Sequence, residues 1–416
     1  MKIGIVGLGY VGLPLAAAFS KHFEVCGFDT HPQRVQDIQT GIDRTNELDA
    51  EQLHDLLQRG FQVSQESDIL ADCTVFIVTV PTPVDKQNQP DLGPLRSASQ
   101  TLAQYLKPGD LVIYESTTYP GCTEEVCVPL LEAGSELLLN RDFHVGYSPE
   151  RINPGDKVNT LETVVKITSG SNAEAALKVD LLYKTIIKAG THLAESIKVA
   201  EAAKAIENAQ RDVNISFVNE LSLIFDKMGI DTYDVLNAAQ TKWNFLPFKP
   251  GLVGGHCIGV DPHYLAFKAQ QLGHEPQVIR SGRTVNESMA EFVVNKLIQY
   301  LDKQGVNWKG ESVNLLGITF KENCPDTRNS PSVEVHRLLE ERGFRVLVID
   351  PWTDDEAVLN EFGITLQVEP NIDSVATLIT VAHSHFLNFN WTQLSKQHVV
   401  FDTKGILPKG LAHLRL

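Results

Sequence analysis

The segment PGLVGGHCIGVDP, Pro250–Pro262, places a thiol, Cys257, beside Gly254 and Gly255, with Asp261 four residues on. A thiolate can add to a carbonyl, hold the adduct covalently and leave by hydrolysis of a thioester, and a neighbouring carboxylate can assist the proton transfers. The paired glycines predict a loop whose backbone comes close to a ligand. A tight turn beside a buried thiol is the alternative that the residues alone leave open. His256 and Cys257 are adjacent and have no second ligand pair, so a tetrahedral metal site is excluded there.

A second constellation opens the chain. In IVGLGYVG, Gly7, Gly9 and Gly12 form GxGxxG around Tyr10 and Val11, directly after a short apolar run. The first glycine permits a tight turn, the second lets backbone approach a pyrophosphate, and the third lets helix and strand pack closely. The pyrophosphate would lie on a helix N-terminus, where free N–H groups favour an anion. Asp29 ends the next apolar run, EVCGFD, 22 residues beyond Gly7, where a carboxylate hydrogen-bonds an adenosine ribose. That carboxylate would repel a 2′-phosphate, so NAD is expected rather than NADP. Arg34, one turn further, is a candidate adenosine contact. The alternative is a structural glycine turn with Asp29 as a helix cap. Two more loops follow apolar runs in this region: Val78–Pro83, with Thr79, Pro81 and Thr82, and Tyr114–Gly121, with Thr117.

These residues need a scaffold, and the hydrophobic pattern supplies one. Apolar β-rich runs at Ile3–Val6, Glu24–Phe28, Thr74–Val80 and Leu111–Tyr114 alternate with helical segments, as βαβ units require. From Ser196 to Met228, 33 residues pass without Gly or Pro, and Phe217, Leu221, Ile224, Phe225 and Met228 recur at helical spacing. The pattern predicts one helix of roughly 50 Å, ended by Gly229. Alternation returns at Val313–Ile318, a helix from about Ser332, Arg345–Ile349, Ala376–Val381 and Val399–Phe401. The expected fold class is therefore α/β: two Rossmann-like doubly wound domains joined by a long central helix and a small all-helical dimerisation domain. The expected boundaries are 1–195 for the dinucleotide domain, 196–295 for the helical domain and 296–416 for the second Rossmann-like domain.

Composition narrows the partners. A net charge of −16 over 416 residues argues against nucleic acid or an anionic membrane surface, so a phosphorylated ligand must be held locally by backbone N–H groups and a few cations. No apolar run is long enough to span a bilayer. The first residues read as a strand rather than a leader, and six cysteines without a CxxC pair fit neither a disulfide framework nor a zinc site. Most of the six are expected to be buried, inert thiols, and the expected location is the cytoplasm.

Taken together, GLGYVGLPLA, STTYPGCTE, SPERINPG, AEAAKAIENAQRDVNISFVNE, GGHCIGVDP and GITFKENCPDTRNSP resemble, in order and over nearly the whole chain, the UDP-sugar 6-dehydrogenases. The resemblance implies oxidation of a sugar CH₂OH to a carboxylate by two successive hydride transfers to NAD, with Cys257 as the covalent nucleophile. It implies that Lys204 and Asn208 hold the substrate oxygen. Their i, i+4 spacing puts them on one helix face, although spacing alone would read as a solvated face. Asp261 and a water positioned by Thr117 would move protons, and Glu150 would be the base for thioester hydrolysis. Arg151, Phe248, Gly254, Gly255, Arg283, Lys321 and Lys404 would line the substrate, with Arg283 reaching the sugar of a neighbouring subunit, and Arg328 would contact NAD. A homodimer or dimer-based oligomer is also implied.

Two departures from the family pattern matter. UDP-glucose enzymes carry a second Glu four residues after the one matching Glu150, whereas this chain has Pro154. They also read GGxCxPKD where this chain reads GGHCIGVD. With SPERINPG, this looks like the branch acting on UDP-N-acetylhexosamines, UDP-GlcNAc or UDP-GalNAc, for surface polysaccharide precursors; UDP-glucose is the alternative substrate.

Overall fold

The computed structural model describes residues 1–416 apart from 86, 153–157 and 256–257. The chain divides into two compact units, one of Met1–Glu207 with His263–Gly273, the other of Asn208–Pro262 with His274–Leu416.

The first unit is built on eight strands: β1 Lys2–Val6, β2 Glu24–Phe28, β3 Gln62–Ser64, β4 Val75–Val78, β5 Leu111–Tyr114, β6 His144–Tyr147, β7 Lys166–Gly170 and β8 Thr191–Leu193. Their order is β3-β2-β1-β4-β5-β6-β7-β8. Every pairing is parallel except β6 with β7. The chain reverses its direction of winding between β1 and β4, the point where doubly wound sheets bind ligands. VFIV and LVIY are buried at every residue, as central strands covered on both faces must be. One face packs Ile3, Ile5, Ile77 and Ile113 against Leu13, Ala16 and Phe19 of the first helix and Val179, Leu182 and Tyr183 of the Ala173–Lys184 helix. The apolar run at Thr74–Val80 yields a shorter strand than its composition predicts. Thr79 turns the chain at once, with its N–H on Val6 O at 2.9 Å and its hydroxyl on Gly7 O at 2.6 Å.

The second unit holds β9 Ser312–Leu316, β10 Arg345–Ile349, β11 Ala376–Ile379, β12 Val399–Asp402 and β13 Leu414–Arg415, all parallel in the order β10-β9-β11-β12-β13. Alternate residues face opposite layers. Val313, Leu315, Leu378 and Phe401 pack with Met289, Val293 and Leu297 of the Gln277–Lys303 helix. Leu316, Ile379 and Val400 pack with Phe386, Trp391 and Leu394.

The helix predicted from the Gly- and Pro-free run is continuous over Ile197–Met228. The Ser196 hydroxyl accepts from Val199 N–H at its start, and Gly229 takes φ +71° at its end. Ile230 N–H then reaches back to Phe225 O at 3.0 Å, closing the last carbonyls in a Schellman-type turn. Among the described residues, no helix is long and apolar enough to cross a membrane.

Candidate active site

The glycine turn of the first unit is held by its own side chains. Gly7 has φ +91°, and a Cβ at Gly12 would lie 1.9 Å from Gly7 O, so neither position admits another residue. A Cβ at Gly9 would meet nothing within 4 Å; that face of the turn is open to a ligand. No side chain caps the Gly12–Phe19 helix, which follows Val11, and its first turn holds no acidic residue. Leu13 and Leu15 N–H donate to Gly9 O and Val11 O at 3.3 and 3.2 Å and Pro14 has no N–H, so at this helix start the Gly12 N–H is the donor left to an anion among the described residues.

Asp29 is half-buried, accepting Leu8 N–H at 2.8 Å through one oxygen and His31 N–H at 2.9 Å through the other. It does not cap the next helix, where His31 takes that place. Each carboxylate oxygen retains acceptor capacity for a ribose hydroxyl. Arg34 clamps the same turn, with Nε on Leu8 O at 2.7 Å and one terminal nitrogen on Asp43 at 2.7 Å. Its other terminal nitrogen is buried without a partner among the described residues. An open glycine, an uncapped helix and a buried orphan N–H donor together fit a dinucleotide. Thr79 fastens the turn through Gly7 O, Pro81 is exposed, and Thr82 is half-buried.

Behind the ends of β5 and β6 lies a charge cluster that no motif announces. Lys166 donates to Glu115 at 2.6 Å and to Glu150 at 3.0 Å, and all three are nearly or wholly buried. Tyr183 donates its hydroxyl to the other oxygen of Glu115. Glu150 also accepts Arg151 N–H at 2.6 Å and Ile152 N–H at 2.8 Å. Burial works to raise the pKa of Glu150, but the Lys166 cation and these N–H groups outweigh it and hold the group below its ordinary value. At Glu115 burial wins and the pKa rises. Burial opposes the charge of Lys166, yet its two carboxylates push its pKa up. Arg151 pairs with Glu207 at 2.7 Å. Thr117, on the preceding loop, is half-buried and makes no side-chain hydrogen bond among the described residues.

The long helix carries a polar stripe: Glu201, Lys204, Asn208 and Asp212 recur at three- and four-residue spacing, and all but Asn208 are buried. Glu201, unnoticed from sequence, accepts from the Thr118 hydroxyl at 3.1 Å, Gly121 N–H at 2.5 Å, and Thr123 N–H and hydroxyl at 2.9 and 2.7 Å. It thereby fixes the loop that begins at Thr117. Lys204 has no hydrogen bond or ion pair among the described residues, although only 7% of it is exposed. A buried ammonium without a counter-charge is costly, and such groups concentrate where a ligand supplies the charge.

In the second unit, Asn208 donates to Asp261 at 2.5 Å, and Asp261, 2% exposed, begins the Asp261–Gln271 helix. Cys257 and His256 lie outside the described residues, as does Pro154. For Gly254 and Gly255 the close approach is to the chain itself. A Cβ on Gly254 would sit 2.4 Å from Asn329 O, and one on Gly255 2.6 Å from the Phe320 ring. The loop is thus laid against the segment bearing Lys321, half-buried, and Arg328, which is bound to Asp326 at 2.6 Å. Lys404 lies beside Gly251, and burial lowers its pKa. Arg283 is buried against Asp212 at 2.8 Å and Glu287 at 3.2 Å, and Phe248 is half-buried in the preceding loop. Cys26, Cys73, Cys122, Cys127 and Cys324 are buried, and none of them is in a disulfide among the described residues.

Three family models match the chain in succession. They are the NAD binding domain of the UDP-glucose/GDP-mannose dehydrogenase family over residues 1–187, its central domain over 198–288 and its UDP binding domain over 314–409. A UDP-N-acetyl-D-glucosamine 6-dehydrogenase of Pseudomonas aeruginosa is 51% identical, covering 100% of this chain and 99% of that one. One of Salmonella typhi is 48% identical with the same coverage. Among solved structures, a UDP-D-ManNAc dehydrogenase from Pyrococcus horikoshii superposes with a TM-score of 0.90 at 30% identity, over 100% of this chain and 98% of that one. With two doubly wound units and a turn that fits a dinucleotide, the chain belongs to the UDP-glucose/GDP-mannose dehydrogenase family and is an NAD-dependent oxidoreductase.

Proposed function

We propose that the enzyme oxidises the C6 hydroxymethyl of a UDP-N-acetylhexosamine, UDP-GlcNAc first among them, to the carboxylate in two two-electron steps. The observation that carries this reading is Lys204, buried without a counter-charge among the described residues, one helical turn from an Asn208 fixed by Asp261. The names of the 51% and 48% identical relatives support UDP-GlcNAc, and GGHCIGVD in place of the pattern of UDP-glucose enzymes supports an N-acetylhexosamine over glucose.

NAD bound at Gly7–Gly12, with Tyr10, Val11, Asp29, Arg34, Thr79, Pro81 and Thr82 around it, supplies the hydride acceptor. Lys204 and Asn208 hold the C6 oxygen as its proton leaves, their charge and dipole offsetting the negative charge that develops there. Asp261 and a water positioned by Thr117 carry that proton away. The Cys257 thiolate adds to the aldehyde carbon and keeps the half-oxidised sugar bound, as a thiohemiacetal, until a second hydride leaves and a thioester remains. Glu150, kept ionised by Lys166, takes a proton from the water that cleaves the thioester. The sum is two hydrides delivered and one water consumed per sugar. Lys321 and Lys404 hold the UDP moiety, with Arg151, Phe248, Gly254 and Gly255 around the sugar and Arg283 reaching the sugar of a neighbouring subunit, and Arg328 contacts the cofactor.

We further propose a homodimer, formed through the helix face that exposes Ile206, Phe217, Ile224 and Met228, and a cytoplasmic location, which suits five cysteines that form no disulfide among the described residues.

The test is NADH stoichiometry against a panel of UDP-sugars. Two NADH per UDP-GlcNAc are expected, and Cys257→Ser should abolish acid formation. One NADH per sugar, or a serine variant at native pace, overturns the mechanism, and a clear preference for UDP-glucose overturns the substrate.

A further inference from the structure

The two units share one hydrogen-bonded frame. In the first, Gly7 at φ +91° donates to Phe28 O at 2.8 Å, Leu8 N–H meets Asp29 at 2.8 Å, and the Thr79 hydroxyl closes on Gly7 O at 2.6 Å. In the second, Gly317 at φ +95° donates to Ile349 O at 2.9 Å, Ile318 N–H meets Asp350 at 2.8 Å, and the Thr380 hydroxyl closes on Gly317 O at 2.7 Å. Even the second carboxylate oxygens correspond, accepting His31 N–H in one unit and Trp352 N–H in the other, both at 2.9 Å.

The units part at what covers the aspartate. Asp29 is half-exposed, whereas Asp350 is buried beneath His383, which is itself 0% exposed. Nδ1 of His383 accepts Asn323 N–H at 2.9 Å, so the ring hydrogen sits on Nε2. That N–H faces Asp350 at 3.1 Å and the Thr319 hydroxyl at 3.0 Å. Trp352 stacks on the ring and Phe386 meets it edge-on, leaving one orientation. Thr319 in turn donates to Lys321 O at 3.1 Å, and Asn323 accepts Ser384 N–H at 3.1 Å.

We propose that His383 is a positioning residue for the nucleotide of the sugar substrate. Its ring fills the seat where Asp350 would otherwise take a dinucleotide ribose, and it pins the Ile318–Asn323 turn so that Lys321 is presented to the diphosphate of UDP. This rests on the reading that the second unit holds UDP.

The experiment compares the full-length wild type, His383→Ala, His383→Gln and Thr319→Val, with UDP binding measured by calorimetry and NADH binding by fluorescence. His383→Ala should weaken UDP by roughly tenfold or more, since it uncovers Asp350, which keeps only its backbone donors, and leaves Asn323 N–H without its acceptor. NADH affinity should stay within about twofold, because its site lies on the other frame. His383→Gln, whose amide can donate near the Nε2 position, should recover part of the loss. Thr319→Val, which keeps the ring, should give a smaller loss in the same direction if the alanine variant does not fold. Unchanged UDP affinity in a folded His383→Ala or Thr319→Val chain, or equal weakening of both ligands, overturns the proposal. A wild-type chain that binds no UDP overturns the reading of the second unit instead, and this proposal with it.

Discussion

Lys166 and Lys204 are buried in the same unit, 2% and 7% exposed, yet they are treated in opposite ways. Lys166 stands between two carboxylates and beside the Tyr183 ring, so its charge is more than matched from within. Lys204 is given nothing among the described residues. The contrast separates two uses of a buried cation. One neutralises the fold's own acids and sets Glu150 in its ionised form. The other is left unneutralised among the described residues, at a cost that, on the proposed function, the negative charge developing on the substrate oxygen offsets.

Removing each cation breaks the comparison in a different place. Lys166→Met strands two buried carboxylates and should destabilise the protein by about 3–5 kcal/mol, read from urea unfolding at neutral pH. The gap between wild type and variant should narrow at both pH extremes. On the acid side the contribution of Glu150, whose folded pKa is lowered, is lost as pH falls below its ordinary 4.5. On the alkaline side the contribution of Lys166, whose folded pKa is raised, is lost as pH climbs past its ordinary 10.5. A gap that is flat from acid to alkali would mean that Lys166 is merely packed there.

Lys204→Met should do the reverse, lowering turnover by roughly 10²–10³-fold, about the effect of removing one oxyanion donor. Its melting temperature should hold or rise, because the unpaired charge is gone. A variant that melts earlier and turns over normally would make Lys204 a structural residue. The smallest effect is expected at the cofactor frame. Asp29→Asn keeps an acceptor for Leu8 N–H but removes the charge, so NAD should weaken by roughly tenfold at most and NADP should become usable. Equal rejection of NADP by the variant would remove Asp29 from cofactor choice.

The sequence exposed whatever depends on local pattern. Fully apolar runs such as VFIV and LVIY announced central strands, the absence of Gly and Pro announced the long helix, and GxGxxG with Asp29 announced the turn. What stayed hidden is held together at long range. Lys166 opens KITSG, a strand in which Lys166 and Thr168 are buried because Glu115 and Glu150, 51 and 16 residues away, receive the first and Asp180, 12 residues away, the second. Nothing in a single sequence pairs those positions. Glu201 was legible only in hindsight, as an acid one turn before Lys204 on a stripe that reads as solvated. Gly254 and Gly255 signalled a tight approach at this loop, but that the Phe320–Pro331 segment packs against them is a long-range contact no local pattern names.

The matched frames around Gly7 and Gly317 have a consequence for how this chain can change. Each is maintained by three side-chain identities, a glycine, an aspartate and a threonine, and otherwise by main-chain atoms that every residue supplies. A scaffold specified so sparsely tolerates drift nearly everywhere else, and the cover over its aspartate can alter without disturbing the turn beneath. One polypeptide can thereby keep two near-identical sockets and dedicate them to different nucleotides.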